Sequence, residues 1–414
     1  MNASNLARLA WIAAAGGSRV LRDAIGDRTG SSMPYRADHV AQPAQLSRMI
    51  NSAALPACPG RVDIRALNVQ DIPSVSSNCH NLVLSIEQTG EPVLPDSLFV
   101  KLPMESLATH WFFSVINSWK LESHFFRQVA SSVPLHTPVT YATAWRGSRF
   151  FLVQENLHDN PDVTLFTNPD MMQGPTLEQV HLCLDAFARL HSRHVGLTRE
   201  ARDALLPPHF HLFLSPVMGS AARSLNAMAL GPCMKKRPGA IPAEVAAAYR
   251  ESMRHWDTLL KFWFSEPLSL LHGDSHLGNF YLLGEEMGML DWQATHWGKG
   301  VRDVQYFLID SLPVALLAQH ERALLAYYVE RRAAHGAPID PDDAWQEYRA
   351  FSFHTLFTIV VSIGFGALNE DQDTLMTEIL ERAVAAVQRV DYAGWLADYL
   401  TSQPRRQDAK TLFR

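Results

Sequence analysis

The sequence predicts an α+β chain in two lobes, a small antiparallel sheet with one main helix followed by a larger, mostly helical lobe. Three observations carry this prediction. Between residues 62 and 154 the apolar side chains fall in short extended runs bounded by turn residues. Beyond Asn156 the apolar spacing becomes helical over long stretches. With 414 residues and 47% hydrophobic side chains, the chain can build extensive cores, so disorder is excluded as its main state.

Residues 1–38 read as an amphipathic helix and a linker, because Gly26, Asp27, Gly30, Ser31, Ser32 and Pro34 crowd its end. The apolar run 9–17 behind Arg8 has the rough outline of a signal peptide but lacks a small-residue cleavage site, so a cytoplasmic placement is expected. Residues 39–157 form the sheet lobe. Its expected elements are a helix over 40–53, strands over 62–69, 81–88 and 97–102, and a helix over 106–130. A hairpin of 139–145 with 148–154 follows, turning at Arg146 and Gly147. Residues 158–414 form the helical lobe, with helices over 177–194, 242–264, 314–332, 344–365 and 375–390 and short extended runs over 268–272, 280–283 and 287–291. The longest apolar runs, 9–17 and 356–368, are shorter than the roughly 20 residues that cross a bilayer.

Charge and cysteine content exclude several classes. Thirty-six basic and 42 acidic side chains give a net charge of −6, which supplies no global field for a polyanion; no nucleic-acid and no membrane partner is expected. Cys58, Cys79, Cys183 and Cys233 lie far apart, with no C-x-x-C pair for a thiolate zinc site and no disulfide framework. Monomer and homodimer are both compatible with the sequence.

Chemistry concentrates in His272-Gly273-Asp274-Ser275-His276-Leu277-Gly278-Asn279, followed by Leu290-Asp291-Trp292-Gln293. An apolar strand delivers the chain to a loop bearing Asp274 and Asn279, and a short hairpin returns Asp291 to the same edge. Three oxygen-bearing side chains thereby converge. Such a set suits phosphoryl transfer, in which one carboxylate takes a hydroxyl proton while an amide oxygen and a second carboxylate hold Mg²⁺.

This H-G-D-x-H-x-x-N and D-W-Q pattern resembles the aminoglycoside phosphotransferase and choline kinase superfamily, in particular its ecdysteroid-kinase-like branch. The five-residue spacing from Asp274 to Asn279 also matches the catalytic loop of protein kinases. The resemblance implies a bilobal protein-kinase-like fold, ATP as phosphoryl donor and a small hydroxylated acceptor. It makes Asp274 the catalytic base, Asn279 and Asp291 the Mg²⁺ ligands, and His272 and His276 the residues that shape the loop. It also implies that Lys101, one of only seven lysines, contacts the α and β phosphates with Glu122 as its helix partner. The main chain from Glu155 to Leu157 becomes the adenine-facing hinge, Ala188 to His191 part of the helix beneath the loop, and Asp303 the brace of the loop backbone. Plainer readings stand beside these: Lys101 as a strand-end surface lysine and His191 as a packed core histidine.

The resemblance spans roughly residues 40 to 330, with one departure. No glycine occurs between Arg61 and Thr89, where the family places its phosphate-covering glycines. Ser74, Ser76, Ser77 and Asn78 remain as donors to phosphate oxygens.

Two rival readings accompany this one. His272, Asp274 and His276 form an H-x-D-x-H set that suits a metal-dependent hydrolase, although Asn279 and Asp291 then go unexplained. The glycine-poor phosphate segment fits a catalytically weak pseudokinase that binds without turnover. For the acceptor, aromatic-rich segments at 207–214, 255–264 and 351–365 predict a partly apolar hydroxylated molecule, core packing being the ordinary use of such residues. Acidic clusters at 340–343 and 370–373 suit either an amine-bearing acceptor or solvated loops.

Overall fold

In the computed structural model, residues 3–30, 33–53, 55–72, 79–208, 219–366 and 368–403 are described. Helix α1 (Ala3–Thr29) continues through Gly26 and Asp27, where the sequence predicts a linker. Tertiary contacts hold this end in the helix. Asp23 Oδ2 accepts from Ser148 N at 2.5 Å and from Ser148 Oγ at 2.6 Å, while Asp27 Oδ2 accepts from Arg149 Nη2 at 2.5 Å. Two helices, α2 (Ala37–Val40) and α3 (Pro43–Ala53), replace the single one expected, with Pro43 opening the second as its fixed φ favours.

The sheet is antiparallel with order β1-β2-β3-β5-β4, formed by β1 (Ile64–Ile72), β2 (Cys79–Gln88), β3 (Ser97–Pro103), β4 (Thr140–Arg146) and β5 (Arg149–Glu155). Gly147 and Ser148 make the β4–β5 turn, one residue later than expected. Gly147 has φ 62°, and a Cβ there would stand 2.5 Å from Asp23 Oδ2, so glycine meets both the turn and the approach of α1. Between β3 and β4 the helix predicted over 106–130 is broken. α4 (Leu107–Ile116) ends at Asn117, which adopts φ 62°, and α5 (Ser118–His124) runs into a π turn over Phe125–Val129. Asparagine tolerates this left-handed geometry better than most residues, so it redirects the chain between two helices.

Beyond β5 come β6 (Val163–Leu165), α6 (Asn168–Gln173), α7 (Leu177–Arg193), α8 (Arg199–Leu205), α9 (Gly219–Lys236), α10 (Ala243–Arg254) and α11 (Trp256–Trp263). The strand β7 (Ser269–Leu271) leads into the 272–279 loop, and β8 (Phe280–Leu283), β9 (Glu286–Met289) and β10 (His296–Gly298) follow. Helices α12 (Val301–Ser311), α13 (Val314–Ala334), α14 (Pro341–Phe365), α15 (Glu370–Arg389) and α16 (Tyr392–Ser402) complete the lobe. His255 divides the helix predicted over 242–264 into α10 and α11.

A large core joins α5 and β5 to α7, α10, α12 and α14–α16, and a smaller one fills the space between α3 and the sheet. Trp256, Trp263, Phe351 and Phe353 belong to the large core, so most of the aromatic residues considered for an acceptor site are packing residues. Phe210 and Phe213 lie outside the described residues. The acidic clusters have local roles. Asp340 caps α14 by accepting from Asp342 N and Asp343 N, and Glu370, Asp371 and Asp373 occupy the first turn of α15. All four cysteines are free thiols. By length and composition α14 could cross a membrane, but its apolar window is mostly buried in the fold.

Candidate active site

Lys101 lies on β3, paired across from Leu152 of β5, the strand that runs on into the interlobe segment. Its Nζ donates to Glu122 Oε1 of α5 at 2.9 Å and to Asp291 Oδ1 at 3.0 Å. Lysine and glutamate are buried, whereas Asp291 is partly open. Burial alone would lower the pKa of Lys101, but Asp291 and Glu122 together raise it, and the ammonium stays charged. Burial pushes the Glu122 carboxyl upward against the opposing pull of Lys101. Lys101 is therefore no surface lysine.

Asp291 has left-handed backbone geometry, φ 54° and ψ 64°. The Trp292 ring next to it stacks on Phe125 at 4.1 Å and 7°, anchoring this turn to the π turn after α5. Gln293 Nε2 donates to Asp291 Oδ2 at 3.4 Å.

The β8–β9 hairpin closes the distance to the loop. Leu290 N donates to Asn279 O at 2.8 Å, and Asn279 Nδ2 donates to the Asp274 carbonyl at 2.7 Å. The amide nitrogen is committed to the backbone and the amide oxygen is left as a ligand atom. Asn279 Oδ1 and the Asp291 carboxylate form an all-oxygen donor set, the chemistry that a hard divalent cation such as Mg²⁺ takes.

Asp303, at the start of α12, holds the loop. Its carboxylate accepts from His272 N at 2.7 Å and Gly273 N at 3.1 Å, and its carbonyl accepts from Ser275 Oγ at 2.9 Å. Burial would raise this carboxyl, but His191, Arg302 and His272 hold it down to about 2. His191 is fully buried between Asp303 and the Tyr328 hydroxyl, the packed role its plainer reading gives it. Gly273 has φ 90°, and a Cβ there would lie 2.1 Å from Ala294 O. His272 donates from Nε2 to Leu290 O at 2.7 Å and accepts at Nδ1 from Asp274 N at 3.3 Å. Burial lowers its pKa, in keeping with a neutral ring, and neither nitrogen is left for a metal. Among the described residues no three His, Cys, Asp or Glu side chains are grouped to hold a metal ion, so the hydrolase reading has no support in the geometry.

Two further residues join the site that the sequence did not single out. Arg302 Nη2 donates to Gly273 O at 3.2 Å, and Tyr306 OH donates to Asp274 Oδ1 at 3.5 Å. Asp303, Tyr306 and Asp310 follow i, i+3, i+7 spacing on α12, a pattern that places them on one helical face. That spacing was the available signal.

At the other predicted positions, Glu155 Oε1 accepts from Val139 N at 2.7 Å and Glu155 N donates to Val139 O at 2.9 Å, so this residue braces the start of β4. Leu157 is buried in a short 3₁₀ turn over Leu157–Asp159. Ser76 and Ser77 lie outside the described residues, as do Ser74 and Asn78. A cleft of about 270 Å³ opens between α5, α8 and β10, with an apolar wall of Leu206, Phe264, Leu268 and Trp297 and a charged one that includes the Arg202–Glu266 pair. His296 also lines it, and the Nδ1 of that ring would lie 3.0 Å from a Cβ at Gly273, so the cleft adjoins the loop.

The profile of the ecdysteroid kinase-like family matches residues 96–336, a span that includes Lys101, Glu122, Asp274, Asn279, Asp291 and Asp303. The chain belongs to that family. This ecdysteroid kinase-like chain is also similar to solved structures of the protein-kinase-like superfamily. A choline/ethanolamine kinase family protein from Mesorhizobium loti is 16% identical, with 88% of this chain and 98% of that one covered and a TM-score of 0.50. Choline kinase LicA from Streptococcus pneumoniae is 11% identical, with 86% and 98% covered and a TM-score of 0.46. The corresponding values for an ethanolamine kinase from Plasmodium vivax are 12%, 76%, 82% and 0.47. No curated protein matches the sequence. The likeness to the Mesorhizobium loti protein agrees with the sheet lobe and helical lobe described above, the bilobal fold that the motifs imply.

Proposed function

We propose that the chain is a small-molecule kinase that transfers the γ-phosphoryl group of ATP, with Mg²⁺, to a hydroxyl of a small and partly apolar acceptor. The observation that carries this reading is Lys101 bonded at once to Glu122 of the sheet lobe and Asp291 of the helical lobe. A buried ammonium shared between two lobes has its plainest use in meeting phosphate oxygens where the lobes face each other.

In this reading residues 39–157 hold the nucleotide and residues 158–414 hold the acceptor. Lys101, oriented by Glu122, binds the α and β phosphates. Main-chain groups of Glu155 and Leu157 meet the adenine edge, and Ser76 and Ser77 take the place of the missing glycines. Asn279 and Asp291 hold Mg²⁺, which when bound supplies positive charge to the phosphate oxygens. Asp274 accepts the acceptor's hydroxyl proton as that oxygen attacks the γ-phosphorus, and ADP leaves. Catalysis is then chiefly positioning and electrostatics. The acceptor's apolar character draws support from the Phe264 and Trp297 wall of the cleft beside Gly273.

Asp274→Asn tests the base. We expect turnover of ATP with a responsive alcohol to fall about a thousandfold, while Mg·ATP affinity by calorimetry stays within about twofold. Undiminished turnover would refute the assignment.

A further inference from the structure

Helix α1 buries Ile12 and Gly16 and turns several polar side chains to the protein, and it leaves a row of large apolar side chains on the outside. Arg19, Asp23 and Asp27 point inward: Arg19 donates to Ser114 O, Asp23 accepts from Ser148, and Asp27 pairs with buried Arg149. Trp11, Ala14, Ser18, Leu21 and Ile25, spaced by three and four residues, are exposed on the other side. Trp11 is 71% exposed, Leu21 64% and Ile25 57%. The neighbouring α4 adds Leu107, 65% exposed, together with Trp111 and Phe112. Trp111 closes against Gly16 and Gly17 of α1 and donates Nε1–H to Ala13 O at 3.0 Å, so the two exposed sets adjoin. Among the described residues ten large apolar side chains are exposed, and these two helices hold six of them. The hydrophobic effect, about 25 cal/mol per Å² of apolar surface, runs against such an arrangement unless something covers the row.

Charge selects the cover. α1 has Arg8, Arg19, Arg22 and Arg28 against Asp23 and Asp27, and both acids are engaged by Ser148 and Arg149. Arg22 and Arg28 are exposed at the margins of the apolar row. A second copy on this face would set arginine against arginine with no carboxylate of α1 to meet them. Anionic lipid headgroups complement the arginines, and tryptophan with arginine beside aliphatic residues is the composition that settles at a lipid–water boundary. We propose that the outer face of α1 and α4 seats on a bilayer containing anionic lipid. The net charge of −6 belongs to the whole chain and not to this face. The proposal is independent of the kinase reading.

Co-sedimentation of the full chain with vesicles tests it, using phosphatidylcholine alone and phosphatidylcholine mixed with phosphatidylglycerol. Binding is expected on the mixed vesicles, weaker by about tenfold on phosphatidylcholine alone or in high salt. The pair Trp11→Ser with Leu21→Ser, and separately Arg22→Glu with Arg28→Glu, are each expected to reduce binding about tenfold with the thermal midpoint unchanged. If the apolar pair lowers the midpoint, the arginine pair, which removes no packed group, decides. Failure to sediment with the mixed vesicles, or binding that the arginine pair retains, would overturn the proposal. So would concentration-dependent dimerisation by light scattering that the apolar pair abolishes, since a second copy would then be the cover.

Discussion

Asp303 accepts from two consecutive backbone amides of the 272–279 loop, and its carboxyl is held down to about 2 from an ordinary 3.8. A carboxyl whose folded pKa is depressed contributes stability in full above its unfolded value and loses it as the pH falls through the folded one. Asp303→Asn is therefore expected to cost about 2 kcal/mol near neutral pH, with the gap to the wild type narrowing as the pH drops below about 4. Urea denaturation of both proteins across that range checks it; a constant gap would mean that the charge contributes nothing. At this scale Asp274, Asn279 and Asp291 are legible in the sequence because one loop and one hairpin within 18 positions fix their proximity. Lys101 and Glu122 were legible only through the family resemblance, since a lysine at a strand end and a glutamate twenty-one residues on carry no pairing signal of their own. Tyr306 is legible only through its i+3 spacing from Asp303, and Arg302 not at all, because its bond to Gly273 O depends on how α12 packs against the loop.

Helix α5, its π turn and the turn at Asp291 behave as one element, since Phe125 and Trp292 stack across them and Glu122 and Asp291 share Lys101. Trp292 is fully buried. Its replacement by alanine is expected to cost about 3–5 kcal/mol and to weaken Mg·ATP binding as well, because Asp291 loses its anchor. Denaturation and calorimetry on the same variant check the two effects; a stability loss with full nucleotide affinity would separate the elements. Sequence periodicity marked the helices with one apolar face, such as α7 and α15, but not α12, where every residue from Val301 to Ser311 is buried and no alternation survives. α9 is not among the helices the sequence predicts, and it carries Gly231 and Pro232 inside it, residues that weaken a helical pattern. The break at Asn117 leaves no trace in spacing, because buried residues continue on both sides of it, Phe113 and Ser114 before and Trp119 and Leu121 after.

Over the whole molecule, α1 touches both α4 of the sheet lobe and α9 of the helical lobe. Its tie to the sheet lobe runs through Asp27 and Arg149, whose guanidinium also lies 3.6 Å over the Tyr35 ring. Removing the carboxylate strands a buried cation, so Asp27→Asn is expected to cost about 2 kcal/mol, discounted for the partial exposure of Asp27. A two-state urea transition measures this, and an unchanged midpoint would show that α1 adds nothing to the fold. The division into a sheet lobe and a helical lobe was legible from the change of period near Asn156. The docking of α1 was not, because it buries only Ile12 and Gly16 among polar contacts and leaves its larger apolar side chains, Trp11, Leu21 and Ile25, outside. Asp291 has a consequence of another kind. Its left-handed backbone admits asparagine or glycine without strain, yet both discard the carboxylate; glutamate keeps the carboxylate but meets a backbone penalty of about 1 kcal/mol and a longer reach. Asp291→Asn therefore keeps the turn that carries the Trp292 stack while removing the carboxylate that bonds Lys101, which separates the geometry of this corner from its charge.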